Sequence, residues 1–363
     1  MADKKLPPPP PPPPITPFCY PGSVYSRRIS WYLDLRRIPY SVSIQPPMPP
    51  RPLLSQALRL RYRRIPVVQI AGATLLCDSR LILAKLDRLF PGSERYPALL
   101  PMGGAFGVDD GAARGLARVV EAWMVDGLFG QAVGLIPPGM PMLSDPAFVR
   151  DREELAGVRL DDGAKVEERR PACKAALEAA MGVVEGTWLA DGREWVLGPG
   201  PSLVDLQAVW VFDWVLEDPF LRGALGDEEE VRKVEERFPR TVAWVRRWRA
   251  ALKERGAWDP EREGPRGNVV SDEEVLERVF GDGSVFVEDG AEVVWDEGSA
   301  RVVGLEKGQV VEVFPTDYGS AHKDRGRLVG LGLDEVVIDV DVEERGKVVR
   351  LHFPRTGFCV RKV

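Results

Sequence analysis

Residues 62–83 read YRRIPVVQIAGATLLCDSRLIL. Arg64–Ile70 has the apolar, β-branched character of a strand, interrupted by Pro66. A proline inside a strand removes one ladder hydrogen bond, so it belongs either to an edge or to a retained cis bond. Ala71-Gly72-Ala73 supplies a turn and Thr74–Cys77 returns as a second strand. Asp78 and Ser79 are both favoured capping residues, and the amphipathic run RLILAKLDRLF behind them stops at Pro91-Gly92. The stretch therefore predicts a hairpin followed by a helix.

Upstream the same alternation continues. ITPFCY (15–20) is a short apolar strand closed by Pro21-Gly22. Val24, Tyr25, Ile29, Tyr32 and Leu33 then recur at helical spacing. YSVSIQ (40–45) reads as a strand ending in a proline-rich stretch, and LLSQALRL (53–60) as a short helix. Residues 15–100 thus give β-α-β-α-β-β-α, the order of a thioredoxin-like sheet (an α/β unit). Residues 101–260 are mainly helical, through ARGLARVVEAWMVDGLF, PACKAALEAAMGVVEGTWL, SLVDLQAVWVFDWVLE and FPRTVAWVRRWRAALKE. Ser202 and Asp205 form a capping box, and Pro239 suits a helix start.

Residues 268–363 change character. A short helix, SDEEVLERVF, leads into valine-rich segments: SVFVE, AEVVW, RVVGL, QVVEVF, GRLVGL, EVVIDV, KVVRLHF and FCVRKV. They predict a small antiparallel, barrel-like all-β unit. This part has 12 basic and 20 acidic residues, a net −8 within a chain of net −6. That balance argues against nucleic acid as a partner. At the other end, residues 1–14 close in eight prolines, a polyproline II tail that serves as a spacer or as a ligand of an SH3- or WW-type module.

The 363 residues suit two or three domains. Four cysteines without a C-x-x-C pair, and two histidines, suggest neither a disulfide framework nor a metal site. No apolar run is long enough for a membrane helix, and the prolines rule out an N-terminal signal helix, so a reducing, cytoplasmic setting is the expectation.

Four motifs in the right order resemble the glutathione S-transferase family over roughly residues 15–255. They are YPGSVYSRRISWYL, with Arg28 five positions after Ser23; YRRIPVV; CDSRLIL; and SLVDLQAVW. The spelling YRRIPV…CDSRLIL is most similar to fungal members of the fold. The β-rich C-terminal part lies outside the usual transferase pattern.

The resemblance implies glutathione as co-substrate, no metal, and a site at three points. Ser23 would favour the thiolate through its hydroxyl and the positive end of a helix; read alone it is a helix N-cap. Tyr20 and Tyr25 are rival hydroxyl donors, and Tyr25 equally suits the core. Pro66, if cis, would turn the Val67 backbone towards the cysteinyl part of the tripeptide. Asp78 and Ser79, at a helix N-terminus, would receive the γ-glutamyl end. Arg64, or Arg63, would hold a carboxylate or be solvated, and Arg28 would form a helix-surface or interdomain ion pair. Trp123, Met124, Phe129, Trp210 and Trp214 line either a pocket for a small hydrophobic electrophile or the core. With Ser rather than Cys at the matched position, conjugation or isomerisation fits better than disulfide exchange. The alternative is a non-catalytic scaffold, and family members often pair as homodimers.

Overall fold

Most residues of the N-terminal strands are apolar, on both sides of the alternation, so both faces of their sheet need cover. The computed structural model describes residues 13–99, 109–136, 139–157, 163–219, 221–254, 267–287 and 293–363; most of the proline tail lies outside them. The first unit runs β1 (Ile15–Cys19), α1 (Val24–Leu35), β2 (Ser41–Ile44), one wide helical turn (Leu53–Ala57), β3 (Val67–Ile70), β4 (Thr74–Cys77) and α2 (Ser79–Leu89). β1 runs parallel to β2 and antiparallel to β3, and β3 and β4 form the expected hairpin.

The helical part holds α3 (Asp110–Ala122), α4 (Phe129–Val133), α5 (Pro146–Ala156), α6 (Gly163–Val183), α7 (Leu203–Leu216), α8 (Glu228–Arg237) and α9 (Pro239–Glu254). α7 opens on the Ser202–Asp205 capping box, with both reciprocal bonds made. α5 was not foreseen. Its signal is Asp145-Pro146, an Asp N-cap bonding the Ala147 N–H followed by Pro in the first turn.

The remaining elements are β5 (Asn268–Val269), α10 (Asp272–Phe280), α11 (Glu297–Val303), β6 (Val310–Pro315), β7 (Asp324–Leu331), β8 (Glu335–Val342), β9 (Lys347–Pro354) and β10 (Phe358–Lys362). Strands β6 to β10 are antiparallel to one another, as expected. β9 also lies parallel to the outer edge of β4, with Leu75 opposite Leu351. One ten-stranded sheet results, in the order β10-β6-β7-β8-β9-β4-β3-β1-β2-β5.

Three segments expected as strands are not. RVVGL lies in and just after α11, because Asp296 caps that helix through the Ser299 N–H and Gly304 ends it at φ +67. The described parts of SVFVE and AEVVW form no named strand. Val287 instead bonds the Thr74 hydroxyl, and the Val285 backbone lies so close to Gly72 that a Cβ there would clash.

The two faces of the sheet carry two cores. Ile15, Val68, Ile70 and Leu76 pack with α1, α2 and the helical part. Phe18, Val67, Leu75 and Cys77 pack with Val275 and Val279 of α10 and with Leu328, Val336, Leu351 and Phe353. A buried polar link crosses the β4–β9 seam. Lys85 of α2 donates to Glu335 of β8 at 2.8 Å, and His352 Nδ1 of β9 lies 3.0 Å from the other Glu335 oxygen. Burial raises the Glu335 carboxyl, but the His352 bond and the His352 and Lys85 charges outweigh it and hold the group below its usual range.

Candidate functional site

The turn Pro21-Gly22, with Gly22 at φ +81, delivers the chain to Ser23, which is extended while the next residue is helical. The Ser23 oxygen accepts the Ser26 N–H at 3.2 Å and the Ser26 hydroxyl at 2.9 Å. Ser23 is therefore the N-cap of α1. A hydroxyl that accepts two bonds still has its own proton to donate. That proton sits at the positive end of a 12-residue helix.

Tyr20 is half-buried, and its carbonyl accepts the Ser23 N–H at 3.2 Å. Tyr25 packs its ring against Phe129 (4.8 Å between centroids) and Trp210 (4.9 Å). Burial, and then the Asp78 carboxylate, push the Tyr25 hydroxyl above its usual pKa, while Arg28, Arg80 and Arg64 oppose this. Tyr25 thus remains a protonated donor in the field of the Asp78 end of the site. Cys19 is buried and pushed up to about 12, so it holds no thiolate.

The Ile65–Pro66 peptide is cis. Val67 is not turned outward. It lies inside the sheet, opposite Phe18 on one side and Cys77 on the other, and is fully buried. At this position β1 and β4 flank β3 on both sides.

Asp78 caps α2 by accepting the Arg80 N–H at 3.0 Å. Its backbone stands at φ +70, ψ 133, an unfavourable conformation for a non-glycine residue, costing on the order of 1–3 kcal/mol. Arg64 and Arg80 guanidinium nitrogens lie 3.8 and 4.0 Å from its carboxylate. The Ser79 hydroxyl accepts Arg28 Nη1 at 2.9 Å. Arg28 is fully buried and also binds Glu121 of α3 and Gln207 of α7. It is an interdomain ion pair, not a helix-surface one, and it ties the first turns of α1 and α2 together.

Neither arginine before Pro66 is simply solvated. Arg63 pairs with Glu154 at 2.8 Å and with Asp151, both on α5. Arg64 donates to the Tyr318 carbonyl at 2.8 Å and pairs with Asp317, both on the β6–β7 loop. Beside them is a cavity of about 100 Å³, lined by Arg64, Asp78, Arg80 and Asp126 and walled by Asp317 and Gly357.

The aromatic stripe packs on itself. Phe129 stacks on Trp214 at 5.5 Å, Trp123 meets Trp188 at 5.8 Å, and Met124 is fully buried. No group of three or more His, Cys, Asp or Glu that could hold a metal ion occurs among the described residues. Nor is any of their helices long and apolar enough to cross a membrane.

One buried acid next to the site had no sequence signal. Asp324, at the start of β7, accepts the Arg61 N–H at 2.6 Å and the Tyr62 N–H at 2.9 Å. Burial pushes its carboxyl up to about 7, against those two bonds and the Arg61 charge. An acid whose pKa rises on folding binds its proton more tightly folded than unfolded. Its contribution to stability is full below about pH 4 and is lost as the pH rises towards about 7. Urea midpoints of the wild type are expected to fall across that window, and those of Asp324→Asn to lack this component; parallel profiles would contradict it.

Residues 18–94 match the family model described as the glutathione S-transferase N-terminal domain. Residues 131–257 match a domain of unknown function, DUF7962. Comparison with curated proteins returns no match. Among solved structures, a GST-like protein from Pseudomonas syringae is 20% identical with a TM-score of 0.61, over 96% of this chain and 99% of that one. Human glutathione-S-transferase T1-1 is 19% identical (TM-score 0.46; 73% of this chain, 90% of that one). Rice GST1 in complex with glutathione is 22% identical (0.45; 69% and 92%). Residues 18–94 are thus similar in sequence to the glutathione S-transferase N-terminal domain, and the chain as a whole is similar in fold to the GST-like protein from Pseudomonas syringae.

Proposed function

We propose that the groove at the N-terminus of α1 binds glutathione and presents its thiol to a small hydrophobic electrophile for conjugation or isomerisation. The observation that carries this reading is the shared placement of the α1 and α2 N-termini, bridged by Arg28 to Ser79, beside the cis Pro66. Two positive helix ends there face the two anionic ends of a γ-glutamyl thiolate. Ser23 is the first choice of thiol donor and Tyr25, which feels the Asp78 charge, the second, ahead of Tyr20. Arg64 and the Ser79 N–H would take the γ-glutamyl carboxylate, and Asp78 its amine. Val67 would contribute through burial of β3 and not through an open backbone.

Loss of a hydrogen bond to a charged acceptor costs about 1.5–3 kcal/mol. Ser23→Ala is therefore expected to lower kcat/KM for a general aromatic chloride by about 10–100-fold, and Tyr25→Phe by less. Equal activity of Ser23→Ala and the wild type would remove Ser23 from the mechanism.

The scaffold reading has one observation of its own. A cavity of about 100 Å³ at Asp78 is smaller than the ~300 Å³ at the lower end for small-molecule sites. Retention on immobilised glutathione separates the readings. The enzyme reading expects retention of the wild type and its weakening in Ser79→Ala; no retention together with no conjugation leaves the scaffold.

A further inference from the structure

The β6–β7 loop makes a series of contacts that the sheet does not need. At one end Thr316 bonds the Gly357 carbonyl through its N–H at 2.9 Å. At the other end Asp324, 1% exposed, clamps the Arg61 and Tyr62 N–H groups. Between these anchors the loop crosses the residues that precede Pro66. Asp317 and the Tyr318 carbonyl take Arg64, the Gly319 N–H reaches the Leu155 carbonyl of α5 at 2.7 Å, and His322 Nε2 lies 2.7 Å from Glu154. Gly319 is at φ +77, and Arg63 and Leu155 side-chain atoms lie 3.4 Å from where a Cβ would stand, so the loop runs alongside both.

The Asp324 anchor and the side-chain contacts of the middle differ in kind. Asp324 is buried, whereas the Asp317, Tyr318 and Glu154 side chains are each about half exposed. Exposed ion pairs hold weakly and local opening draws on such contacts, while the buried Asp324 clamp at one end and the Thr316 N–H bond to Gly357, next to the β6–β10 pairing, at the other hold the loop's ends. The same loop walls the cavity at Asp78 and occupies the arginine that the thiol site would use.

We infer that residues 316–323 are an autoinhibitory strap: closed, they hold Arg64 and narrow the glutathione groove, and they swing between fixed ends to admit the ligand. This rests on the thiol-site reading above. A site whose competent state is only partly populated binds more weakly by that fraction, so releasing the strap tightens binding.

The test is the double variant Asp317→Ala/His322→Ala, which leaves Arg64 and Asp324 in place. Amide hydrogen exchange of 316–323 is measured without ligand, and reduced glutathione is titrated by calorimetry. The thermal midpoint checks the fold. The expected result is exchange at least about tenfold faster in the strap alone, with a glutathione Kd about tenfold lower than wild type. Faster exchange with an unchanged, measurable Kd overturns the strap and leaves the thiol site standing. Unchanged exchange overturns the latches, and the strap with them. Faster exchange with no glutathione binding by either protein overturns the thiol site, and the strap's role with it. If the double variant melts early, Asp317→Asn alone is read by the same two measurements.

Discussion

A chain ended after Glu254 is expected to lose cooperative unfolding altogether. The second core is divided almost evenly across that point. Phe18, Val42, Leu54, Val67 and Leu75 lie on one side, and Val275, Leu328, Ile338, Leu351 and Phe353 on the other. Each large apolar side chain returned to water costs about 1.5–3 kcal/mol. Five such losses match or exceed the whole stability of an ordinary domain, about 5–15 kcal/mol. Removal of β9 also opens the edge of β4, which then offers unpaired backbone to another chain. Lys85 loses Glu335 in the same cut. The expected product is insoluble, or soluble with no sigmoidal denaturant transition. A truncated chain that unfolds cooperatively at the wild-type midpoint would show that residues 268–363 are an addition and not part of the sheet's core.

Asp205→Ala is expected to destabilise the full chain by about 3 kcal/mol or more, because three buried donors lose their acceptor at about 1–3 kcal/mol each. Asp205 is fully buried and accepts from the Ser202 N–H at 2.9 Å, the Val196 N–H at 3.0 Å and the Trp244 indole N–H at 2.8 Å. The alanine would strand all three donors in the helical core. Burial raises the carboxyl's pKa although Ser202, Val196 and Trp244 pull it down. An ordinary surface N-cap substitution costs about 1 kcal/mol, so the two roles are separable by magnitude. Urea midpoints at constant slope give the number; a loss near 1 kcal/mol would reduce Asp205 to a cap.

How much of this was legible can be traced residue by residue. The caps were: Ser23, Asp78, Ser202 and Pro239 all begin helices, because cap preference acts within one turn of chain. The hairpin Val67–Cys77 was legible for the same local reason. The pairing of β9 with β4 was not. Alternation marks a strand but does not name its neighbour, and Thr74–Cys77 reads the same at an edge or in the middle of a sheet. Arg63 and Arg64 were ambiguous because their partners, Glu154 and Asp317, are 91 and 253 residues away. RVVGL was misread because five residues do not separate a strand from a helix end, and its deciding signals, Asp296 and Gly304, stand at the two ends of α11. Arg28 was singled out by its spacing from Ser23, but only the fold brings Glu121, Gln207 and Ser79 to one guanidinium.

The central claim is that the α1 N-terminus receives a thiol. A crystal structure of the full chain with glutathione bound tests it most directly. The account predicts the sulfur within about 3.5 Å of the Ser23 or Tyr25 hydroxyl, with the γ-glutamyl carboxylate at the Ser79 N–H. Glutathione bound with its sulfur beyond hydrogen-bond reach of Ser23, Tyr25 and Tyr20 alike would contradict it.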